Sequence, residues 1–179
     1  MLIIAFLGNP GKKYTKNRHN IGFIIGEYFS STHGIKVNQK QNSSIIGRGE
    51  IEGKEVILAA PQTYMNNSGT AVKELINFFK TDIKNLIAVH DDIELPFSEF
   101  QIKFGGGHKG QNGIRSIIQQ TNNPDFNRFR FGVGRPHHPE IPIADFVLSD
   151  FTKDENEKIK TLLPDIDKAL CDLIKSMED

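Results

Sequence analysis

Residues 2–7 form an uninterrupted run of six apolar residues that stops at Gly8-Asn9-Pro10-Gly11. A short apolar run without alternation is typical of a strand buried on both faces, and the glycines and proline end it in a loop. Apolar residues at helical spacing follow over about residues 20–33, closed by Gly34. This strand, loop and helix order predicts an α/β fold in which helices cover a sheet.

The rest of the chain continues the alternation of strands and helices. A hairpin is predicted over residues 44–50 and 55–60, and helices over 68–80 and 110–120. Further strands are predicted over residues 86–89, 101–104 and 128–133, the last with its basic residues outside and Phe129, Phe131 and Val133 inside. We therefore expect one domain over residues 1–179 with a twisted, mixed and mainly parallel sheet sandwiched between helices.

The C-terminal tail repeats apolar residues at three-and-four spacing over residues 153–177. This pattern predicts an amphipathic helix, which Pro164 should bend or break because proline lacks the N–H that an interior helical position needs.

Apolar runs in this chain fall well short of the roughly 20 residues that cross a bilayer, so no membrane association is expected. The single cysteine, Cys171, excludes an internal disulfide and a site with several thiolates. Together these features favour a soluble, cytoplasmic protein.

Charge is unevenly distributed although the formal net charge is zero. Residues 1–149 carry a net charge of +4 and residues 150–179 a net charge of −4. Two basic segments, residues 9–19 and 101–135, could lie on one face and bind a phosphate backbone. Ordinary solvated charges balanced by the acidic tail explain the same pattern, so the charge alone does not decide.

His19 and Asp91 are the strongest candidates for acid–base chemistry. An imidazole titrates near neutral pH and takes a proton from water when a carboxylate fixes its tautomer. Asn9, Asn66 and Asn112 lie in predicted loops, where carboxamides can orient a water, a carbonyl or an oxyanion. Each of these residues is also common in caps and turns, so loop position alone leaves a structural role open.

Two other kinds of site are weaker alternatives. Gly105, Gly107 and Gly110 fit a dinucleotide-binding fingerprint, but the preceding strand is half polar and no ribose-binding acid follows at the end of the next strand. His90, Asp91, Asp92 and Glu94 could hold Mg²⁺ or Mn²⁺ in a nuclease-like site with His19. Alternation along an extended strand would send the two aspartates to opposite faces, which weakens this alternative.

Several motifs occur in an order that resembles the bacterial peptidyl-tRNA hydrolase family, and the match is colinear over about residues 2–148. The fragments are Leu7-Gly8-Asn9-Pro10-Gly11, Tyr14, Arg18-His19-Asn20-Ile21-Gly22-Phe23, Thr63-Tyr64-Met65-Asn66-Asn67-Ser68-Gly69, His90-Asp91-Asp92, Leu95-Pro96, Gly105-Gly106-Gly107 and Asn112-Gly113.

The resemblance implies an esterase that releases the peptide from the 3′ ribose of prematurely dropped peptidyl-tRNA, with no metal or organic cofactor. The implied partner is peptidyl-tRNA, and we expect a monomer. His19 matches the general base for water, Asp91 the residue that holds it, and Asn9 the residue that discriminates peptidyl from aminoacyl substrates. Matching substrate and tRNA contacts are Tyr14, Tyr64, Asn66, Asn112, Lys103 and Arg130. A lid is implied near the glycine run and before the last helix.

Four positions depart from the family pattern. Phe6 and Ser98 stand where glycine is usual, Gln101 replaces a basic residue and Gln111 a common histidine. These departures concern loop geometry and RNA affinity. Two other functions stay open, an RNA-binding module on a decayed hydrolase scaffold and a metal-dependent nuclease.

Overall fold

The computed structural model describes residues 1–178, and these residues build one sheet with helices on both faces. In chain order the strands are β1 (Leu2–Phe6), β2 (Gln39–Gln41), β3 (Ser44–Ile51), β4 (Lys54–Pro61), β5 (Leu86–Asp92), β6 (Phe100–Phe104) and β7 (Asn127–Gly132). The α-helices are α1 (Ile21–Thr32), α2 (Ser68–Phe79), α3 (Asn112–Thr121), α4 (Ile143–Val147) and α5 (Lys153–Ser176).

Within the described residues the strand order is β2-β3-β4-β1-β5-β7-β6. The central strands β4, β1, β5 and β7 are parallel, whereas β3 runs antiparallel to β4 and β6 antiparallel to β7. The predicted mixed sheet between helices is therefore confirmed. The short edge strand β2 was not predicted, because Gln39–Gln41 is wholly polar and has no apolar pattern.

Alternate residues of β1 fill two separate cores. Leu2, Ile4 and Phe6 pack with α1 and α5, whereas the odd-numbered residues Ile3 and Ala5 pack with α2 and α3. All five are at most 3% exposed. Burial on both faces explains why the run is continuously apolar.

Two predictions need correction, the end of β5 and the bend or break of α5 at Pro164. β5 continues through Asp92 and does not end at Val89, because residues 90–92 pair with β7. α5 runs through Pro164 without a break, since the proline is exposed and apolar contacts on both sides of it, from Ile159 to Ile174, hold the helix on the sheet.

Two of the departures from the family pattern have a local structural counterpart. Phe6 is buried directly against α1, where a Cβ added to Gly26 would lie 2.6 Å from the Phe6 ring, so the glycine makes room for the large side chain. Ser98 has φ 76°, a left-handed backbone angle that glycine adopts without strain, and its N–H donates to the Gly132 carbonyl at 3.1 Å.

No α-helix among residues 1–178 combines the length and the apolar character needed to span a bilayer.

Candidate active site

His19 and Asp91 lie together at the carboxyl edge of the parallel strands. Nδ1 of the histidine is 2.8 Å from Oδ2 of the aspartate, and both side chains are nearly buried, with exposures of 9% and 3%. An ionised carboxylate accepts but does not donate, so Nδ1 carries the proton and Nε2 keeps its lone pair. The His19 ring lines a small cavity and thereby presents a basic nitrogen to whatever enters it.

The pair shifts the titration of both groups. Burial alone would lower the pKa of His19, but the charge of Asp91 and the hydrogen bond to it outweigh burial and raise the pKa above its ordinary 6.5. Burial would raise the pKa of Asp91, yet its interactions with His19 and a hydrogen bond from Gln111 lower the pKa below 3.8. Asp91 is therefore ionised at neutral pH, and it stabilises an imidazolium on His19.

Gly22 brings the two residues together. A Cβ on this first-turn residue of α1 would lie 2.3 Å from the Leu7 carbonyl oxygen and 2.7 Å from that of Val89. The helix start therefore rests directly on the ends of β1 and β5, which only glycine permits. His19 lies in the 3₁₀ turn Arg18–Asn20 just before α1, and Asp91 follows Val89 by two residues, so this close approach places them side by side.

Gln111 holds the other oxygen of Asp91. Its Nε2 donates to Oδ1 of Asp91 at 3.0 Å, while its Oε1 accepts from the N–H of Ile114 at 2.7 Å and caps α3. The backbone donor fixes which end of the amide faces Asp91. The residue that departs from the family pattern is thus part of the hydrogen-bond network of the site.

The cavity beside His19 has a volume of about 100 Å³, and two segments, a polar loop and a short helix, form walls of it. One wall is the segment 108–112, which follows the glycine run 105–107 and includes Asn112, and the other is α4, through Ile143, Ala144 and Val147. The two segments for which the resemblance implies a lid therefore flank His19.

Asn9 lies at the neighbouring end of β1 and is fixed by three hydrogen bonds. Its Oδ1 accepts from the N–H of Met65 at 2.7 Å, and its backbone N–H and carbonyl bond the side chain of Asn20 at 2.8 and 2.9 Å. Because the Asn9 oxygen is occupied, its Nδ2 is the group left to meet a ligand.

Asn66 lies in the turn Met65–Asn67 and Asn112 is the first residue of α3, and Gly113 allows these two segments to touch. A Cβ on Gly113 would lie 2.6 Å from Sδ of Met65, so the start of α3 packs against the turn Met65–Asn67. Within residues 1–178 neither asparagine side chain has a hydrogen-bond partner, which leaves both amides available.

Tyr14 and Tyr64 form an edge-to-face pair with ring centroids 6.3 Å apart. Tyr64 is 54% exposed and has φ 60°, a costly backbone angle for an aromatic residue. The hydrogen bond from the next N–H to Asn9 helps to hold this conformation.

Lys103 and Arg130 lie on a basic patch at the β6–β7 edge. Nε of Arg130 donates to Oδ2 of Asp92 at 2.7 Å, and its Nη1 donates to Oε1 of Gln101 at 3.3 Å. The positive charge of Lys109, followed by desolvation and the charges of Arg130 and Arg128, lowers the pKa of Lys103. Such crowding of cations costs energy that a bound polyanion would recover.

The expectation that the basic residues of β7 all point outward is wrong for Arg128. This residue is 3% exposed, and its guanidinium donates to the carbonyls of Gly106, Gly107 and Pro124 at 2.6–3.0 Å. It therefore holds the glycine-rich segment onto the sheet, and Arg130 is the β7 arginine nearer to solvent.

Arg18 is a structural element of the site that the sequence did not reveal. Its guanidinium donates to Ser149, to the Asp150 carbonyl and, at 2.7 Å, to Glu155, and lies 4.5 Å from the Phe146 ring centroid. The turn that carries His19 is thereby fastened to the segment between α4 and α5. Its hydrogen-bond partners lie more than 130 residues away, so no local pattern could have indicated them.

The carboxylates proposed as nuclease ligands do not converge. Asp91 pairs with His19, whereas Asp92, the next residue of an extended strand, pairs with Arg130. This arrangement favours a histidine and carboxylate pair over a two-aspartate cation site.

Comparisons with known proteins agree with the resemblance found in the sequence. A family model described as peptidyl-tRNA hydrolase matches residues 3–179. A peptidyl-tRNA hydrolase of Geotalea daltonii is 43% identical over 161 residues, covering 90% of this chain and 83% of the relative. One from Clostridium perfringens strain SM101 is 40% identical over 176 residues, covering 98% and 92%.

The fold comparison gives the same result. The crystal structure of peptidyl-tRNA hydrolase from Acinetobacter baumannii superposes with a TM-score of 0.85 at 34% identity, covering 92% of this chain and 83% of that one.

Proposed function

The chain belongs to the peptidyl-tRNA hydrolase family, and we propose that it hydrolyses the ester between a peptide and the 3′ ribose of tRNA with His19 as general base. The observation that carries this mechanism is the 2.8 Å contact between Nδ1 of His19 and Asp91, which leaves Nε2 free to take a proton from water. The resulting hydroxide would attack the ester carbonyl carbon. As the bond to the 3′ oxygen breaks, that oxygen takes the proton back from the imidazolium.

The carboxamides would bind the substrate on either side of the attacked carbon. Asn9 would present its Nδ2, because its oxygen is already used by Met65, and so would act as a donor. Asn66 and Asn112 have unused amides that can donate to an oxyanion or to the peptide backbone. Binding through the peptide backbone fits an enzyme that accepts many peptides. Tyr14 and Tyr64 would contact the substrate as well.

We further propose that the whole chain acts as one monomeric unit in the cytoplasm and needs no metal for the reaction. A substrate released by translation fits a location in the cytoplasm, and a water activated by an imidazole fits a reaction without a metal.

A direct test uses N-acetyl-aminoacyl-tRNA with and without a chelator. We expect release of the acyl group at equal rates and an intact RNA chain. Inhibition by the chelator or cleavage of the RNA chain would favour a metal-dependent nuclease. Binding of the tRNA without release of the acyl group would favour an RNA-binding module on a decayed hydrolase scaffold.

Lys103 is expected to bind a phosphate of the tRNA, so Lys103→Ala should raise KM with little change in kcat. The slope of log(kcat/KM) against log(salt) should become shallower by about 1, the amount expected for one lost phosphate contact. Steady-state kinetics over a range of salt concentrations measures both effects. Lys158→Ala, which changes an exposed lysine of α5, is the matched control. Identical salt slopes in both variants would contradict a phosphate contact at Lys103.

Gln111 is expected to be a positioning residue, since it holds Asp91 while capping α3. Gln111→Ala removes both hydrogen bonds and should lower kcat by about tenfold, equivalent to roughly 1.4 kcal/mol, and also lower the Tm. Gln111→Glu keeps an acceptor for Ile114 but cannot donate to Asp91 when ionised. The introduced carboxylate would repel ionised Asp91 and lower the Tm as well, but its negative charge should also raise the pKa of His19 and move the acid limb of kcat/KM to higher pH. Activity that follows the Tm alone would assign Gln111 a purely structural role.

A further inference from the structure

A second cluster of chemically active side chains lies at the far end of α1. His33 follows the last residue of this helix, and Asp167 and Cys171 lie one turn apart on α5. With 12 residues in α1 and a rise of about 1.5 Å each, roughly 18 Å of helix separates the cluster from the turn of His19. No role in ester hydrolysis accounts for it.

Three atoms that can act as metal ligands lie close together in this cluster. Nε2 of His33 is 2.8 Å from Oδ1 of Asp167 and 3.5 Å from Sγ of Cys171, and all three atoms lie within 4.8 Å of one another. One ring nitrogen thus lies beside both a carboxylate at hydrogen-bond distance and a thiol, whose sulfur is only a weak donor and acceptor. A metal ion placed between the three atoms could accept a lone pair from each of them.

The spacing suits a tetrahedral ion. Bonds of about 2.0–2.3 Å to zinc place neighbouring ligand atoms about 3.3–3.6 Å apart. The Sγ to Nε2 distance of 3.5 Å already agrees with that range. The 2.8 Å between Nε2 and Oδ1 needs to widen by about 0.5 Å, which a rotation of the partly exposed Asp167 side chain can supply.

The surroundings favour a cation. The carboxylates of Asp167, Glu52 and Asp172 place negative charge around the Cys171 thiol. His33 and Asp167 keep side-chain exposures of 23% and 18%, so an ion can enter from solvent. The Phe29 ring, with its centroid 4.5 Å from that of His33, holds the imidazole from one side.

We propose that His33, Asp167 and Cys171 form a zinc-binding site, with solvent as the fourth ligand, that fastens the end of α1 to α5. One imidazole nitrogen, one carboxylate and one thiolate match the ligand preferences of Zn²⁺. The charges of the thiolate and the carboxylate balance those of the ion. When the metal–sulfur bond forms, the thiol proton passes to the buffer.

The single cysteine of the chain makes this proposal testable by spectroscopy. One equivalent of Co²⁺ added to the metal-free full-length protein should produce a thiolate-to-cobalt charge-transfer band that reports on Cys171 alone. One equivalent of Zn²⁺ should abolish the band, slow alkylation of the thiol by iodoacetamide and raise the Tm. Cys171→Ser should remove the band, weaken Co²⁺ binding by at least about tenfold and keep the wild-type kcat.

Two further variants and one control test whether His33 and Asp167 bind the metal, as opposed to forming only an ion pair with each other. His33→Gln and Asp167→Asn should each weaken Co²⁺ binding, whereas His138→Gln, at an exposed imidazole, should not. The proposal is overturned if wild-type protein shows no thiolate band at one equivalent, or if the band survives in both His33→Gln and Asp167→Asn. These measurements need no substrate, so their outcome does not depend on whether the protein hydrolyses peptidyl-tRNA.

Discussion

Replacing His19 by alanine is expected to lower kcat for ester hydrolysis by about 10²- to 10⁴-fold, the contribution typical of a positioned general base. The physical reason is the loss of the one nitrogen that Asp91 makes more basic and that lies in the cavity wall. KM should change little, because the asparagines and the basic patch remain in place. Single-turnover hydrolysis of N-acetyl-aminoacyl-tRNA measures the chemical step directly.

The control for His19→Ala is a second imidazole in the wall of the same cavity. His108 also lines it, but its Nδ1 accepts from the Gly110 N–H and it has no carboxylate partner in the described part of the chain. His108→Ala should therefore change kcat by no more than a few-fold. Thermal unfolding of both variants shows whether folding is kept. Near wild-type turnover in a folded His19→Ala protein would overturn the proposed mechanism.

Much of this fold could be predicted because local patterns and tertiary packing agree. Residues 2–7 are apolar without alternation since both faces of β1 are buried, and the hairpin of β3 and β4 follows from its two apolar runs and the turn between them. Pro164 shows the limit of local reasoning. Its preference against helix interiors is outweighed by the apolar contacts of α5 on the sheet.

The site could be predicted in its composition but not in its connections. Motif order indicated His19, Asp91 and the asparagines, and strand topology places the carboxyl ends of β1 and β5 side by side. The buried contacts of Arg18 and Arg128 depend on partners distant in sequence or on loop carbonyls, and carry no periodic signal. The sequence marks Gln111 only as a departure from the family pattern, because its two hydrogen bonds depend on how α3 packs against β5.

Replacing Asp91 by asparagine is expected to lower the plateau of kcat/KM by about 10²- to 10⁴-fold, because the introduced amide selects the wrong tautomer of His19. Gln111 donates to one atom of residue 91, so the amide oxygen must face Gln111 and the NH₂ group must face His19. Nδ1 of His19 then accepts, which puts the proton on Nε2. The nitrogen that should take a proton from water is already protonated.

The pH profile distinguishes this effect from simple damage. In the wild type, His19 must be neutral to act, so kcat/KM should fall as the pH drops through a pKa above 6.5. Without the charge of Asp91, burial dominates and lowers the pKa of His19, so this acid limb should move to lower pH. The deficit should therefore be largest at high pH and smaller at low pH.

Asp92→Asn is the matched control, since Asp92 is the adjacent carboxylate of the same strand but pairs with Arg130. It should raise KM and alter the salt dependence while leaving the acid limb where it is in the wild type. The titration of His19 in both variants can be followed independently by NMR of the imidazole. An unmoved His19 pKa in Asp91→Asn would show that Asp91 does not support the imidazolium, and the proposed pairing would then have no part in activating water.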